Sequence, residues 1–335
     1  MPVFHCPLGA VAYDGKGCIR CGLCIAKTRE EAVEASKTLR EYLRTHASAR
    51  QKKYLIQKIA VCGKGGVGKS TIVTLLANAL LEYGYSVLVM DTDESNPGLY
   101  RMFGFDQQPK PLMKLLSRFS LGEPEPNTEW LTLDTISIKD IPSEFILEKN
   151  KLKFMMVGKI EDPFQGCACS MADVIRDLMI KFKLEEKEIV LVDQEAGVES
   201  FGRGVERGMD TILMIVEPSF ESISLAEKIQ YMAEGIGIGR IRAVLNKMPS
   251  EQTAQKVIKE LIKKEIRFLG SLYLDSAVSD SGFEGSPIEE CEAKAHMRTI
   301  ARLMLDEAEM KYEKKGKKKI NDQAWKDKGG KGPCV

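Results

Sequence analysis

The chain has 335 residues, 44% of them hydrophobic, and its 49 basic and 48 acidic side chains leave a formal net charge of +1. That length supports a large core in one major domain with additions, and the near-neutral balance excludes a global field directed at nucleic acid or a membrane surface. No apolar run reaches the ~20 residues that span a bilayer and no signal-peptide pattern opens the chain, while nine cysteines, mostly in short-spaced clusters, point to metal binding in a reducing, cytoplasmic compartment.

Residues 1–28 carry Cys6-Pro7 and then Cys18-Ile19-Arg20-Cys21-Gly22-Leu23-Cys24. Three thiolates spaced C-x2-C-x2-C suit three corners of a cubane cluster, and a remote Cys-Pro supplies a fourth. Cys6, Cys18, Cys21 and Cys24 are therefore expected to hold one [4Fe–4S] cluster; four cysteines also suit a tetrahedral zinc ion. The segment resembles half of a bacterial two-cluster ferredoxin. Thr28 stands where the other cluster's cysteine would sit, which implies a single cluster. Residues 29–56, charged and free of Gly and Pro, read as a helical linker with a solvated face.

The stretch with the most chemistry follows. Lys58-Ile59-Ala60-Val61 reads as a buried strand and Ile72 to Leu81 as a helix. Between them lies Gly63-Lys64-Gly65-Gly66-Val67-Gly68-Lys69-Ser70-Thr71, the pattern G-x-x-x-x-G-K-S in the strand–loop–helix context a phosphate loop requires. Its N–H groups and the helix dipole suit the phosphates of a nucleoside triphosphate, Lys69 reaches the outer phosphates, and the Ser70 hydroxyl holds Mg²⁺. Lys64 adds a second cation that either neutralises charge on the transferred phosphoryl group or points to solvent. A second strand, Tyr85 to Met90, ends at Asp91-Thr92-Asp93, where carboxylates lie at the ligand edge of a doubly wound sheet. Asp93 is the candidate for positioning the attacking water, and Asp91 for the Mg²⁺ surroundings or loop contacts.

Residues 105–150 suggest a helix near Leu112 to Phe119 and a hairpin around Leu131 to Ile141. A strand from Leu152 to Lys159 precedes Gly166-Cys167-Ala168-Cys169-Ser170 and a helix from Met171 to Lys181. Cys167 and Cys169 can present two sulfurs to one ion, and the helix N-terminus favours their thiolates. Two such pairs in a homodimer supply the four ligands that Zn²⁺ or Ni²⁺ takes; two buried thiols capping a core is the plain alternative. The strand Ile189 to Val192 ends at Asp193, placed to hold Mg²⁺ through water, and Gly197 lets the backbone approach the outer phosphate. Leu213 to Val216 and Arg242 to Leu245 read as further parallel strands, the latter ending at Asn246. From Lys311 the tail is rich in lysine and glycine and reads as disordered.

Lys64-Gly65-Gly66-Val67-Gly68-Lys69-Ser70 resembles the deviant phosphate loop of the ATPases related to MinD, ParA and nitrogenase iron protein. Asp193-Gln194-Glu195-Ala196-Gly197-Val198-Glu199 through Gly204, with Gly166-Cys167-Ala168-Cys169, resembles the CooC-type members that help load nickel into carbon monoxide dehydrogenase and related enzymes. Ser200 stands where many relatives carry histidine. The resemblance implies a Mg²⁺-ATP-dependent homodimer in which Lys64 crosses to the partner's nucleotide and Asn246 reads the adenine. It also implies a transient nickel site made from Cys167 and Cys169 of both subunits, and a client of the carbon monoxide dehydrogenase or acetyl-CoA synthase type. Two other classes fit parts of the chain: an ATP-gated iron–sulfur electron donor, and a positioning ATPase, which the charged tail without an apolar face disfavours. The predicted organisation is thus α/β: an iron–sulfur module at 1–28, a linker at 29–56, a mostly parallel, doubly wound ATPase domain at 57–310 and a tail at 311–335.

Overall fold

The computed structural model describes residues 56–93, 98–115, 128–158 and 168–307. The cysteines expected to hold an iron–sulfur cluster (Cys6, Cys18, Cys21 and Cys24), the expected linker up to residue 55, Cys167 and the expected tail lie outside them. In chain order the strands are β1 (Lys58–Gly63), β2 (Ser86–Asp91), β3 (Leu147–Lys149), β4 (Leu152–Met156), β5 (Glu188–Asp193), β6 (Thr211–Val216), β7 (Ile241–Met248) and β8 (Phe268–Tyr273). They form one eight-stranded sheet in the order β3-β4-β2-β5-β1-β6-β7-β8. Every pairing is parallel except β3 with β4. The helices are α1 (Lys69–Glu82), α2 (Leu99–Met102), α3 (Glu129–Thr132), α4 (Ala168–Lys181), α5 (Glu199–Arg203), α6 (Phe220–Gly235), α7 (Glu251–Lys263), α8 (Ser276–Glu284) and α9 (residues 292–307).

Parallel strands covered on both faces need apolar residues at successive positions, not at alternate ones. In β1, Ile59 and Val61 join one core with Val87, Val89, Ile189, Leu191, Leu213 and Ile215; α1 (Ile72, Leu76, Leu80) and α9 (Met297, Ile300, Met304) close it. Ala60 and Cys62 point the other way, into a second core shared with α4 (Ile175, Leu178), α6 (Ala226, Ile229) and α7 (Val257, Leu261). The period-two alternation of the strands therefore builds two apolar layers from one set of runs. Because β1 lies between β5 and β6, the chain leaves it toward opposite edges, and the crevice at its carboxyl end is where an open α/β sheet binds ligands.

Three local expectations are corrected. Residues 131–141 form no hairpin: α3 is followed by a short 3₁₀ turn at Ile138–Asp140, capped reciprocally by Ser137 and Asp140. Ser137 N–H and Oγ both bond Asp140 Oδ2, at 2.7 and 2.8 Å, and this local closure outcompetes strand pairing. The antiparallel pair is β3–β4, turned at Asn150-Lys151, with Asn150 in the left-handed region (φ 59°) that two-residue hairpins require. The expected strand to Lys159 ends at Met156, where Val157 N–H instead bonds Asp91 O at 2.9 Å. The helix expected near Leu112 is a single 3₁₀ turn, Leu112–Leu115, over the residues described.

The turn Val205–Gly208 packs on α4 so closely that a Cβ at Gly208 would lie 2.5 Å from Met179 Cβ and 2.7 Å from Met179 C. Gly208→Ala is therefore expected to cost ~1–3 kcal/mol by overpacking. Gly282→Ala, in α8 with nothing within 4 Å, should be neutral or gain up to about 1 kcal/mol. Urea denaturation of the two variants checks the difference.

Candidate functional site

The phosphate loop leaves β1 at Gly63 and enters α1 at Lys69, its shape set by contacts with the next two strands. Gly63 has φ 156°, and a Cβ there would sit 2.8 Å from Ile215 O on β6. Gly68 has φ 93°, and its Cβ would lie 2.5 Å from Asn246 Nδ2 on β7. Asn246 Nδ2 donates to Val67 O (2.9 Å) and Lys247 Nζ donates to Gly66 O (2.6 Å). Two loop carbonyls are thus tied back to β7, the arrangement in which loop N–H groups face an anion on the other side. Asn246, expected to read a base, here braces the loop. Lys69 is buried in the first turn of α1.

Three carboxylates crowd the crevice beside the loop. Asp91 ends β2, Asp193 ends β5 in register with it, and Asp93 follows two residues on; all three are buried. Asp91 Oδ1 accepts Asp93 N–H at 3.2 Å, and Thr92 ties the two strand ends through N–H and Oγ1 bonds to Asp193 O (3.0 and 2.8 Å). Ser70 Oγ donates to Asp193 Oδ2 at 2.6 Å, whereas Asp193 Oδ1 is buried with no hydrogen-bond partner. Burial pushes the Asp193 carboxyl up to about 7, with Asp91 and Asp93 adding repulsion and Ser70 and Lys69 opposing it. A divalent cation would satisfy that oxygen, and a hydroxyl beside carboxylates suits Mg²⁺. Among the described residues no cluster of three or more His, Cys, Asp or Glu forms a ready-made cage. That fits an ion held largely by water and phosphate oxygens.

Comparison with known proteins decides the family. The CobQ/CobB/MinD/ParA nucleotide-binding domain family matches residues 58–288. The chain belongs to this family. It is a P-loop ATPase with the family's α/β sheet. An ATP-binding protein of Methanocaldococcus jannaschii is 41% identical over 214 residues, 62% of this chain and 84% of the relative. The carbon monoxide dehydrogenase accessory protein CooC of Rhodospirillum rubrum is 32% identical over 256 residues, 73% of this chain and 96% of the relative. In fold, the chain is similar to the cell division ATPase MinD of Pyrococcus furiosus, with a TM-score of 0.56 and 20% identity, covering 75% of this chain and 98% of that one. Among the described residues, no helix is long and apolar enough to cross a membrane.

For an ATPase of this family the arrangement adds partners that no motif announced. Lys64 Nζ lies 3.0 Å from Glu217 Oε1, at the end of β6. Gly197 N–H donates to Gly63 O at 3.2 Å, bringing the segment after β5 onto the loop. Gln194 Oε1 accepts Cys62 Sγ–H at 2.9 Å and Ser200 Oγ–H at 3.4 Å. Glu217, Lys247 and Gln194 became visible only once the strand order placed them around the loop; the residue following a strand's last apolar position was the sole hint. The site gathers Gly63 to Thr71, Asp91, Asp93, Asp193, Gly197 and Asn246. Cys169 lies in the first turn of α4, and Cys167 lies outside the described residues.

Gly68→Ala and Gly66→Ala separate strain from collision. Both need left-handed backbone, which costs ~1–2 kcal/mol for alanine. A Cβ at Gly66 meets nothing within 4 Å, while one at Gly68 drives into Asn246. Titration with a fluorescent ATP analogue should show Gly66→Ala weakened by about tenfold at most, and Gly68→Ala without measurable binding.

Proposed function

We propose that this ATPase acts as a homodimeric accessory factor that delivers nickel to a metalloenzyme of the carbon monoxide dehydrogenase or acetyl-CoA synthase type. The observation that carries the reading is the similarity to CooC along nearly all of that protein, combined with the place of the Cys167/Cys169 pair. α4, which begins beside that pair, packs against α5 and the turn Val205–Gly208, and these follow Gly197 and its bond to the phosphate loop. A connected path of packed backbone therefore leads from the segment at Gly197 to the helix whose first turn holds Cys169.

In this reading Gly63 to Thr71 cradle ATP, with Lys69 on the outer phosphates and Asn246 holding the loop and facing the base. Ser70 and Asp193 hold Mg²⁺, which neutralises phosphate charge, and Asp93 positions the attacking water with Asp91 fixing its backbone. Gly197 exchanges Gly63 O for a phosphate oxygen and returns when that phosphate leaves. Lys64 exchanges Glu217 for the partner subunit's nucleotide, so subunit association and loss of the Lys64–Glu217 pair go together. Cys167 and Cys169 from both chains then supply four soft ligands to the cargo ion. Cys6, Cys18, Cys21 and Cys24 hold a separate [4Fe–4S] cluster in the module at 1–28, joined by 29–56 to the ATPase domain at 57–310; the tail at 311–335 has no assigned role. Their spacing favours one second reading, an ATP-gated electron donor.

Anaerobic metal analysis with EPR, with and without ATP, on the wild type and a Cys167→Ser/Cys169→Ser double variant tests the proposal. Roughly one nickel or zinc per dimer should vanish in the variant while a four-iron signal per chain persists. Loss of iron and of a reducible signal in the variant would instead select the electron donor. Independently, Lys64→Ala should abolish ATP-dependent dimerisation in light scattering while each chain still binds ATP. Glu217→Gln, which removes the charge holding Lys64, should bring dimerisation to several-fold lower ATP.

A further inference from the structure

Beneath the phosphate loop lies a carboxylic acid that the ATPase chemistry does not use. Glu206, in the turn Val205–Gly208, is 0% exposed, and among the described residues neither of its oxygens has a hydrogen bond of good geometry or an ion pair. The neighbouring Gln194 Nε2 is likewise buried without a partner. Three buried polar atoms without a hydrogen-bond partner among the described residues therefore share one pocket, which native proteins rarely tolerate without a reason. The rest of that pocket is the joint already described: Gln194 Oε1 takes the Cys62 thiol from the start of the phosphate loop and the Ser200 hydroxyl from α5.

We propose that Glu206 is a positioning residue for ATP hydrolysis, acting through Gln194 and Ser200 to set the segment 194–204 against the phosphate loop. Two arrangements of the same atoms satisfy different groups. In the one observed, Gln194 Oε1 is shared by Cys62 and Ser200, and Glu206 is tolerated because a neutral acid costs far less to bury than a carboxylate. In the other, Glu206 is ionised and draws Gln194 Nε2–H and the Ser200 hydroxyl, satisfying all three orphaned atoms at once. Ser200 lies three residues beyond Gly197, whose N–H rests on Gly63 O. Drawing Ser200 toward Glu206 pulls Gly197 off the loop carbonyl and frees it for the outer phosphate. A buried element with two discrete settings, biased by one proton, is a recognised form of switch.

The charge environment leaves that proton in play. Burial pushes Glu206 up to about 7; the Ser200 hydroxyl, its own backbone N–H and the Gln194 amide already lie near enough to pull it partly back, the two side chains not in hydrogen-bonding geometry. From β1 it faces the Cys62 thiol, itself pushed up by burial and by Glu206, with Lys69 and Asp193 acting on Cys62 beyond it. On α4, Arg176 is held by Asp173 at 2.6 Å, and Lys58 Nζ is taken by Met179 O at 2.5 Å. Arg207 belongs to the turn itself and, like Arg176, passes within 4.0 Å of where a side chain at Gly204 would begin. None of these cations pairs with Glu206.

The inference rests on ATP hydrolysis alone and not on the cargo. Steady-state hydrolysis at saturating Mg-ATP, measured from pH 5.5 to 9, tests it on the wild type, Glu206→Gln and Ser200→Ala. Wild-type kcat should rise about fivefold to tenfold through pH 7, the low end of couplings between sites. Glu206→Gln and Ser200→Ala should both lack that step, with KM for Mg-ATP within twofold of wild type. A Glu206→Gln profile that keeps the wild-type step overturns the proposal. A structural readout guards against a variant that fails to fold. Between about pH 4.5, the unfolded value of a glutamate, and pH 7 the native protein holds a proton the unfolded chain has released. Wild-type stability therefore falls as pH rises through that window and stays low above it. Difference infrared spectroscopy should show, in the wild type and not in Glu206→Gln, a buried protonated carboxyl band that disappears near pH 7 together with hydrogen-exchange protection at 197–204; the Asp193 band, also near 7, is common to both. A band lost without any change in that protection would sink the idea.

Discussion

Everything at this site depends on how closely a bare backbone can be wedged between the ends of two strands. The phosphate loop passes within contact of Ile215 O on β6 and Asn246 on β7, and at both points a Cβ would collide. Glycine's permissiveness is usually counted as a cost in conformational entropy. Here that cost is met by the bonds from Asn246 and Lys247 to the loop carbonyls, and Lys247 itself is held at φ 57° to make its bond. The strain is thus spread over both sides of the contact. Because β6 and β7 are interior strands of the sheet, almost wholly buried, the anvil on which the loop is shaped is itself held on both sides.

The same rigidity places acids where water would otherwise stabilise them. Asp91 and Asp193 sit at paired positions on adjacent strands, so their proximity follows from parallel register alone. Burial and mutual repulsion raise the energy of the charged crevice, and at Asp193 the hydroxyl of Ser70 and the ammonium of Lys69 relieve it. Such a site is predisposed toward a divalent cation because the cation removes the repulsion that the fold has already imposed. Mg²⁺ affinity and nucleotide affinity are therefore coupled through these carboxylates rather than through a dedicated protein cage.

How much of this was legible in the chain varied with the range of the interaction. The buried strands and the loop between β1 and α1 were readable because each is a contiguous signal: an apolar run, a glycine pattern, a helix start. β8 was missed because Phe268-Leu269-Gly270-Ser271-Leu272-Tyr273 mixes glycine and serine into its run; Gly270 is needed where Ile300 of α9 would sit 2.8 Å from a Cβ. The hairpin expected at 131–141 failed for a different reason, since Ser137 and Asp140 close a local turn there and Ile136 makes an isolated parallel bridge with Phe182, just past α4, instead of pairing within the segment. Glu217 and Glu206 gave no sign, because a lone glutamate after a strand or in a turn reads as solvated until the fold shows one beside Lys64 and the other fully buried. Lys64 was singled out by its loop position, but its neighbour 153 residues away was not legible at all.

The path from the loop to the cysteine pair has a consequence for how any signal can travel. The turn Val205–Gly208 meets α4 at Met179 and Ile180, ten residues from Cys169, a separation of ~15 Å along a helix. Its contact there is backbone against backbone, with no flexible side chain between to absorb a displacement. α4 presents Ala172, Ile175, Leu178 and Met179 to a close-packed core, so it shifts as a rod or not at all. Any motion of the segment that carries Gly197 would therefore reach the far end of α4 as a translation or tilt of the whole helix. That is why a contact of one glycine with one helix turn can matter to residues that neither ATP nor the phosphate loop touches.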